Sequence, residues 1–237
     1  MRTEFDVSKP VTGFRVLALV LCFFQLSQCA YHPPVETSIK PRSYYAHRQT
    51  LGGLTAVCEP YLDPATGELV FGANLTGAGY LPVEVILFNE SASAYDLSGL
   101  RVDLRDEQMR VVRRVDVGEA AGKVKRFMVK RSFLWAVFGT LFLFLILPFA
   151  LGGGWDAYRA NKSVRKTLAA RLAMPARLEA GKHVHFVAVF DVSDQGKYDP
   201  APDDDFILEL SGIHPEPAAG APAEDMHEIN FTVGFRA

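Results

Sequence analysis

Short alternations of apolar and polar positions are interrupted twice along this chain by apolar runs without a single charge. The first, Val16 to Phe24, is compact and leads into Leu26-Ser27-Gln28-Cys29. The second, Phe133 to Leu151, holds nineteen residues. A helix rises ~1.5 Å per residue, so the first run is too short to span a hydrocarbon core and the second is just long enough. The pattern predicts an export leader followed, in mid-chain, by a membrane-inserting helix.

Residues 30–57 read as a tether, because His32-Pro33-Pro34, Lys40-Pro41 and Gly52-Gly53 break any regular period. From Thr55 the pattern becomes short strands separated by turn residues. A turn at Pro64-Ala65-Thr66-Gly67 predicts a strand over Leu69 to Ala73. In Pro82 to Asn89, Val83, Val85 and Leu87 face one way and Glu84, Ile86 and Phe88 the other. Leu100 to Leu104 and Met109 to Val115 complete a first group, which suits an antiparallel sheet with one wet face. His183 to Val192, Phe206 to Leu210 and Ile229 to Phe235 form a second group. Neither group alone closes a two-layer core, since each leaves an apolar face and two open edges.

The expected fold is therefore mainly β: an immunoglobulin-like antiparallel β-sandwich carrying an inserted hydrophobic helix and an adjoining amphipathic helix. Its expected parts are a signal peptide (1–28), a lipid-anchored tether (29–54), a first part of the sandwich (55–117), an inserted membrane-associated segment (118–180, with the apolar helix at 133–151) and a second part of the sandwich (181–237). Phe133, Leu141, Leu145 and Leu151 would be membrane-embedded, with Trp155 at the interface. Pro148 and Gly152-Gly153-Gly154 can bend or end that helix. In Asp156 to Leu172, Ala157, Val164, Leu168 and Leu172 line one side while Arg159, Lys162, Lys166 and Arg171 point away. Such a helix lies in a headgroup layer or packs against the sandwich.

Charge is nearly balanced, 25 basic against 27 acidic residues, so nucleic acid is not an expected partner. Basic residues nonetheless flank the long apolar run: Lys123, Lys125, Arg126, Lys130 and Arg131 before it, Arg159, Lys162, Arg165, Lys166 and Arg171 after it. That collar suits anionic lipid headgroups; ordinary helix solvation is the plainer reading. Three cysteines, two of them in or beside the leader, build no intramolecular disulfide framework. Cys58 is expected to be a buried small apolar residue at the start of a strand.

The amino end has basic residues (Arg2, Lys9, Arg15), an apolar core, then small or polar positions, the layout of an export signal. Leu26-Ser27-Gln28-Cys29 resembles the lipobox of bacterial lipoproteins, although Gln28 departs from the usual small residue. The resemblance implies lipidation of the Cys29 thiol and cleavage just before it, and Ala30 implies that sorting to an outer membrane is permitted. Phe71-Gly72-Ala73-Asn74-Leu75 and Gly79 to Asn89 are similar to a group of uncharacterised proteobacterial lipoproteins whose β-domain carries a hydrophobic helical insertion. Leu178-Glu179-Ala180-Gly181 before His183 fills the place where the sheet resumes. That resemblance implies an architecture and no chemistry.

Candidate chemistry is sparse. His183 and His185 share a strand face and could share a metal, but no third ligand is placed by spacing. Asp191, Asp194, Asp199, Asp203, Asp204 and Asp205 crowd one loop without EF-hand spacing. Ser91, Ser93 and Ser98 lack a nucleophile elbow, and there is no phosphate-cradling glycine loop. Asn74, Asn89, Asn161 and Asn230 all stand in Asn-x-Ser/Thr triplets, glycan acceptors in a eukaryotic secretory protein and common turn chemistry otherwise.

The expectation is a non-enzymatic, membrane-anchored extracytoplasmic lipoprotein, a structural or protein-binding module with no cofactor and no metal. Its expected partners are membrane lipids and a protein partner or second copy, at the cell membrane or, alternatively, the periplasmic face of an outer membrane. The competing expectation is a bitopic protein for signalling or assembly, with 30–131 outside and 156–237 inside. That topology would place the basic residues of 123–131 outside, against the positive-inside tendency.

Overall fold

The computed structural model describes residues 35, 38–124, 161–193, 205–216 and 227–236. Over these residues the protein is mainly β, with three α-helices and two single 3-10 turns, Arg42–Tyr44 and Thr76–Ala78. In chain order the elements are β1 (Arg48–Leu51), β2 (Leu54–Pro60), α1 (Pro64–Phe71), β3 (Tyr80–Asn89), β4 (Tyr95–Asp96), β5 (Arg101–Arg105) and β6 (Val111–Val112), then α2 (117–124), α3 (161–172), β7 (Arg177–Leu178), β8 (His183–Asp191), β9 (Asp205–Pro215) and β10 (Ile229–Arg236). All pairings are antiparallel. The first sheet has the order β1-β2-β3-β8; the second runs β6-β5-β9-β4-β7, with β10 also on β9.

The two sheets pack face to face. Ala56, Cys58, Val83, Val85, Leu87, Phe186 and Phe190 from the first sheet meet Val102, Leu104, Leu208, Leu210, Phe231 and Val233 from the second in one apolar core. At one side of the sandwich, β1 meets β10: the Thr232 amide donates to Gln49 Oε1 at 2.6 Å and the His47 ring lies edge-on to Phe235. At the other, the chain steps between sheets within residues 111–115. Val112 pairs with Leu104 of the second sheet, and Arg114 bridges to Phe190 of the first.

The expected single wet face holds for the second sheet, where β5 and β10 alternate buried and exposed positions. It fails for the first. Every residue from Tyr80 to Leu87 is buried, because the outer face of that sheet is covered as well. α1, α2 and α3 contribute Val70, Phe71, Ala120, Val124, Val164, Leu168 and Leu172 to a second apolar cluster on Tyr80, Val187 and Val189. Nearer the other end, Tyr45 and Ile39 cover Val57, Ile86 and Phe88. A strand covered on both faces needs both of its side-chain rows apolar or satisfied, and this explains why Ile86 and Phe88 accompany Glu84.

Four expected elements differ. The strand over Leu69 to Ala73 is instead the end of α1 and its cap. Asp63 accepts hydrogen bonds from the Ala65 and Thr66 amides at 3.2 and 2.9 Å, Pro64 occupies the first turn, and Gly72 closes the helix at φ 70°. Those are helix start and stop signals that outweigh a three-residue apolar run. The tether expected over 29–54 contains β1, because Gly52 and Gly53, at φ 57° and 81°, make a two-residue hairpin loop of the type that needs positive φ twice. The strand over Met109 to Val115 shrinks to Val111–Val112, since Met109 itself takes φ 60°. β9 runs on from Leu210 to Pro215, and its extension pairs with β4.

Gly212 marks where β9 leaves β5 for β4. Its φ is 77°, and a Cβ there would collide with the Gly99 carbonyl oxygen. Gly212→Ala is therefore expected to cost about 3 kcal/mol or more in chemical denaturation. Gly122→Ala, with open space around a helical position, should be neutral or stabilise by up to ~1 kcal/mol.

Candidate functional site

Two polar groups interrupt the apolar cover of the first sheet. One stands where α2 joins the β-body. Asp116 begins that helix, its Oδ1 accepting from the Glu119 amide at 2.8 Å. Arg113, just before it, donates to Glu119 and to Asp191 at the end of β8, each at 2.6 Å. Lys123 donates to Ser193 Oγ at 3.1 Å and lies 3.6 Å from Asp191. The same ammonium sits 4.4 Å from the centre of the Tyr80 ring, a cation–π distance. Tyr80 Oη is buried and takes no hydrogen bond among the described residues; burial pushes its pKa up to about 12. The group thus holds α2 to β3 and β8 at the point where the chain departs towards residues 125–160.

The second group lies in the middle of the face. Glu84 is 5% exposed and sits directly opposite Glu59 on β2, a like-charge juxtaposition that needs relief. Tyr61 Oη donates to Glu84 Oε2 at 2.6 Å, and His185 Nδ1 is 3.1 Å from Oε1. The imidazole is thereby oriented by a carboxylate while 42% of the side chain remains exposed. His183 faces the same side, as its spacing requires, but stacks at a tilt on Phe88 with centroids 5.7 Å apart. Among the described residues no group of three His, Cys, Asp or Glu side chains is placed to hold a metal ion. The arrangement sets a buried carboxylate between a phenol and a partly exposed imidazole.

The remaining expected residues divide sharply. Cys29, Phe133, Leu141, Leu145, Leu151 and Trp155 lie outside the described residues, as do Asp194, Asp199, Asp203 and Asp204. Among the described residues no helix is long and apolar enough to cross a membrane. Asp191 belongs to the Arg113 group, and Asp205 pairs with Arg236 at 2.9 Å. Cys58 is fully buried within β2, and burial pushes its thiol up to about 12, so it is not a reactive thiolate at neutral pH. Asn89 is a structural hub: its amide donates to the Ser93 and Glu179 carbonyls at 2.7 and 3.0 Å and accepts from Ser91. At 2% exposure it offers no acceptor for a glycan in the folded chain. Asn230, by contrast, is exposed on β10. Spacing alone could not find the Arg113 and Glu84 groups, since their partners lie 78 and 101 positions apart.

No protein-family model matches the chain, and no curated protein matches it. Among solved structures, a protein of the DUF4426 family from Pseudomonas aeruginosa PAO1 is similar over 80% of this chain and 96% of its own, at 8% identity and a TM-score of 0.29. A likeness that distant defines neither fold nor function.

Burial opposes ionisation of Asp191, but the Ser193 hydroxyl and amide, Arg113 and Lys123 outweigh it and hold its carboxyl below the usual range. Glu119 is lowered too, chiefly by Arg113. A carboxylate depressed on folding contributes stability that is complete above its unfolded value near ~4 and is lost as pH falls through the lower folded value. Denaturation across the acid range should show that loss. Asp191→Asn should cost ~2 kcal/mol at neutral pH and flatten the acid limb; an unchanged limb would mean that the group does not tie α2 down. Tyr61→Phe, which removes a donor from buried Glu84, should cost ~1–3 kcal/mol by the same assay.

Proposed function

We propose that the chain is a membrane-anchored extracytoplasmic lipoprotein whose β-body serves as a non-enzymatic structural or protein-binding module. One observation carries the reading. β3 pairs with β8, β5 with β9, and β4 with both β7 and β9, so strands from either side of the apolar run at 133–151 share both sheets. Hydrogen-bonded neighbours stand ~5 Å apart and cannot be divided by a bilayer. This favours an inserted apolar helix over the bitopic alternative, with its separate outer and inner domains.

Further support comes from where the chain enters and leaves. α2 and α3, which flank residues 125–160, share one apolar cluster. The Val35 amide donates to the Leu69 carbonyl of α1 at 3.0 Å, and Arg171 of α3 donates to the Val35 carbonyl at 2.8 Å. Cys29 is six positions before Val35 (35 − 29), a reach of at most ~21 Å. The described chain at Val35 and on either side of residues 125–160 thus belongs to one layer. Two facing antiparallel sheets with alternating inward rows support an immunoglobulin-like reading of the β-body, to which the helical layer is an addition. The cell membrane is the proposed site, with the periplasmic face of an outer membrane as the alternative.

Cys29→Ala should abolish incorporation of labelled palmitate and leave an unprocessed precursor. Full processing and lipidation of that variant would remove the lipoprotein assignment. Cysteines substituted at Ser98 and Ser211 should be labelled from the same, extracytoplasmic side by an impermeant reagent. Labelling from opposite sides would restore the bitopic arrangement.

A further inference from the structure

The amphipathic character of α3 has two uses that exclude one another, and packing decides between them. Val164, Leu168 and Leu172, its apolar side, are buried against the β-body. That side is unavailable to acyl chains, so α3 does not sink into a headgroup layer as a free amphipathic helix would. What it presents outward is Lys162, Arg165 and Lys166, all exposed. No acidic residue occurs between Asp156 and Glu179, and none of these three cations takes an ion pair among the described residues. Elsewhere many cations are neutralised, Arg42 by Glu90, Arg105 by Glu209, Arg110 by Asp106, Arg113 by Glu119 and Asp191, Arg177 by Glu216, while exposed Lys40, Arg48, Arg101 and Lys182 stand singly in separate segments. Only on α3, among the described residues, do three exposed cations without an ion pair stand within five positions of one another. Beside it, where Arg171 holds Val35, the exposed side chains of Val35 and Leu69 add apolar surface.

We infer that the outward face of α3 docks the β-body flat against an anionic phospholipid surface through Lys162, Arg165 and Lys166, by charge and without insertion. The inference rests on the membrane attachment proposed above and adds an orientation to it: helical layer towards lipid, wet face of the second sheet away. Each cation near an anionic leaflet strengthens attraction about fivefold, so three together favour the docked state about a hundredfold. The contact weakens with salt, because screening shortens from ~10 Å at 0.1 M to ~3 Å at 1 M.

The test is lysine acetylation footprinting of the full chain reconstituted in vesicles of phosphatidylcholine alone or with phosphatidylglycerol. Lys162 and Lys166 should react on the order of tenfold more slowly with phosphatidylglycerol present. Exposed Lys182, at the turn before β8, should be unaffected, and salt near 1 M should remove the protection. Arg165→Glu with Lys166→Glu, both on the solvent side, should expose Lys162 again while the chain still floats with the vesicles after a carbonate wash. Flotation with equal reaction rates in both vesicles would overturn the docking face and leave the attachment standing. Equal protection in neutral vesicles, or in detergent, would assign the face to a protein contact instead. A chain that floats with neither vesicle would overturn the attachment and the docking together.

Discussion

The ladder between β3 and β8 is the contact on which the other layers rest. Its register runs from Tyr80 opposite Asp191 to Phe88 opposite His183, and it places apolar rows on both sides at once. Inward, Val83, Val85, Phe186 and Ala188 form half of the inter-sheet core. Outward, Tyr80, Val187 and Val189 form the floor on which all three helices sit. Without this ladder β3 would be an open edge exposing two apolar faces, and the Glu84–His185 and Arg113–Asp191 contacts would lose one partner each. A strand buried on both faces tolerates a carboxylate only if its charge is met locally, and Tyr61 and His185 do so for Glu84.

That double burial gives the body two unlike sides. The second sheet turns an alternating surface to water, with Arg105 bonded to Glu209 across neighbouring strands. The first sheet is hidden beneath helices, one of which, α3, turns Lys162, Arg165 and Lys166 outward. A molecule with such a division has an up and a down before any partner is considered. The entry of the chain at Val35 and the flanking helices α2 and α3 all belong to one of those sides.

Much of the sandwich was legible in the sequence, for identifiable reasons. The period-two rows of Pro82 to Asn89, and the β-branched run of His183 to Val192, are long enough to outvote local alternatives, and they became β3 and its end-of-sheet neighbour β8. The helical side of Val164, Leu168 and Leu172 was equally plain. Errors arose where a short apolar run met a strong local signal. Leu69-Val70-Phe71 resembles a strand until Asp63-Pro64 is weighed as a helix start. Gly52-Gly53 resembles a break until it is weighed as a hairpin loop, which hid β1 inside an apparent tether. The second covering layer was illegible because its evidence is tertiary: nothing in Glu84 or Ile86 announces that α1, α3 and Tyr45 will come to lie over the same sheet. For the same reason the Arg113 group, whose acidic partner Asp191 lies 78 positions away, has no sequence signature.

The long separation between paired strands also governs when this protein can become itself. β3 is synthesised well before β8, and Glu84 precedes His185 by 101 positions, so neither sheet can be completed while the carboxyl portion is still on the ribosome. Contacts this distant in sequence close slowly, and unpaired strands exposed meanwhile are prone to associate with one another. Until the last strands arrive, β2 and β3 present open strand edges, the state in which copies of this chain are most prone to pair with one another.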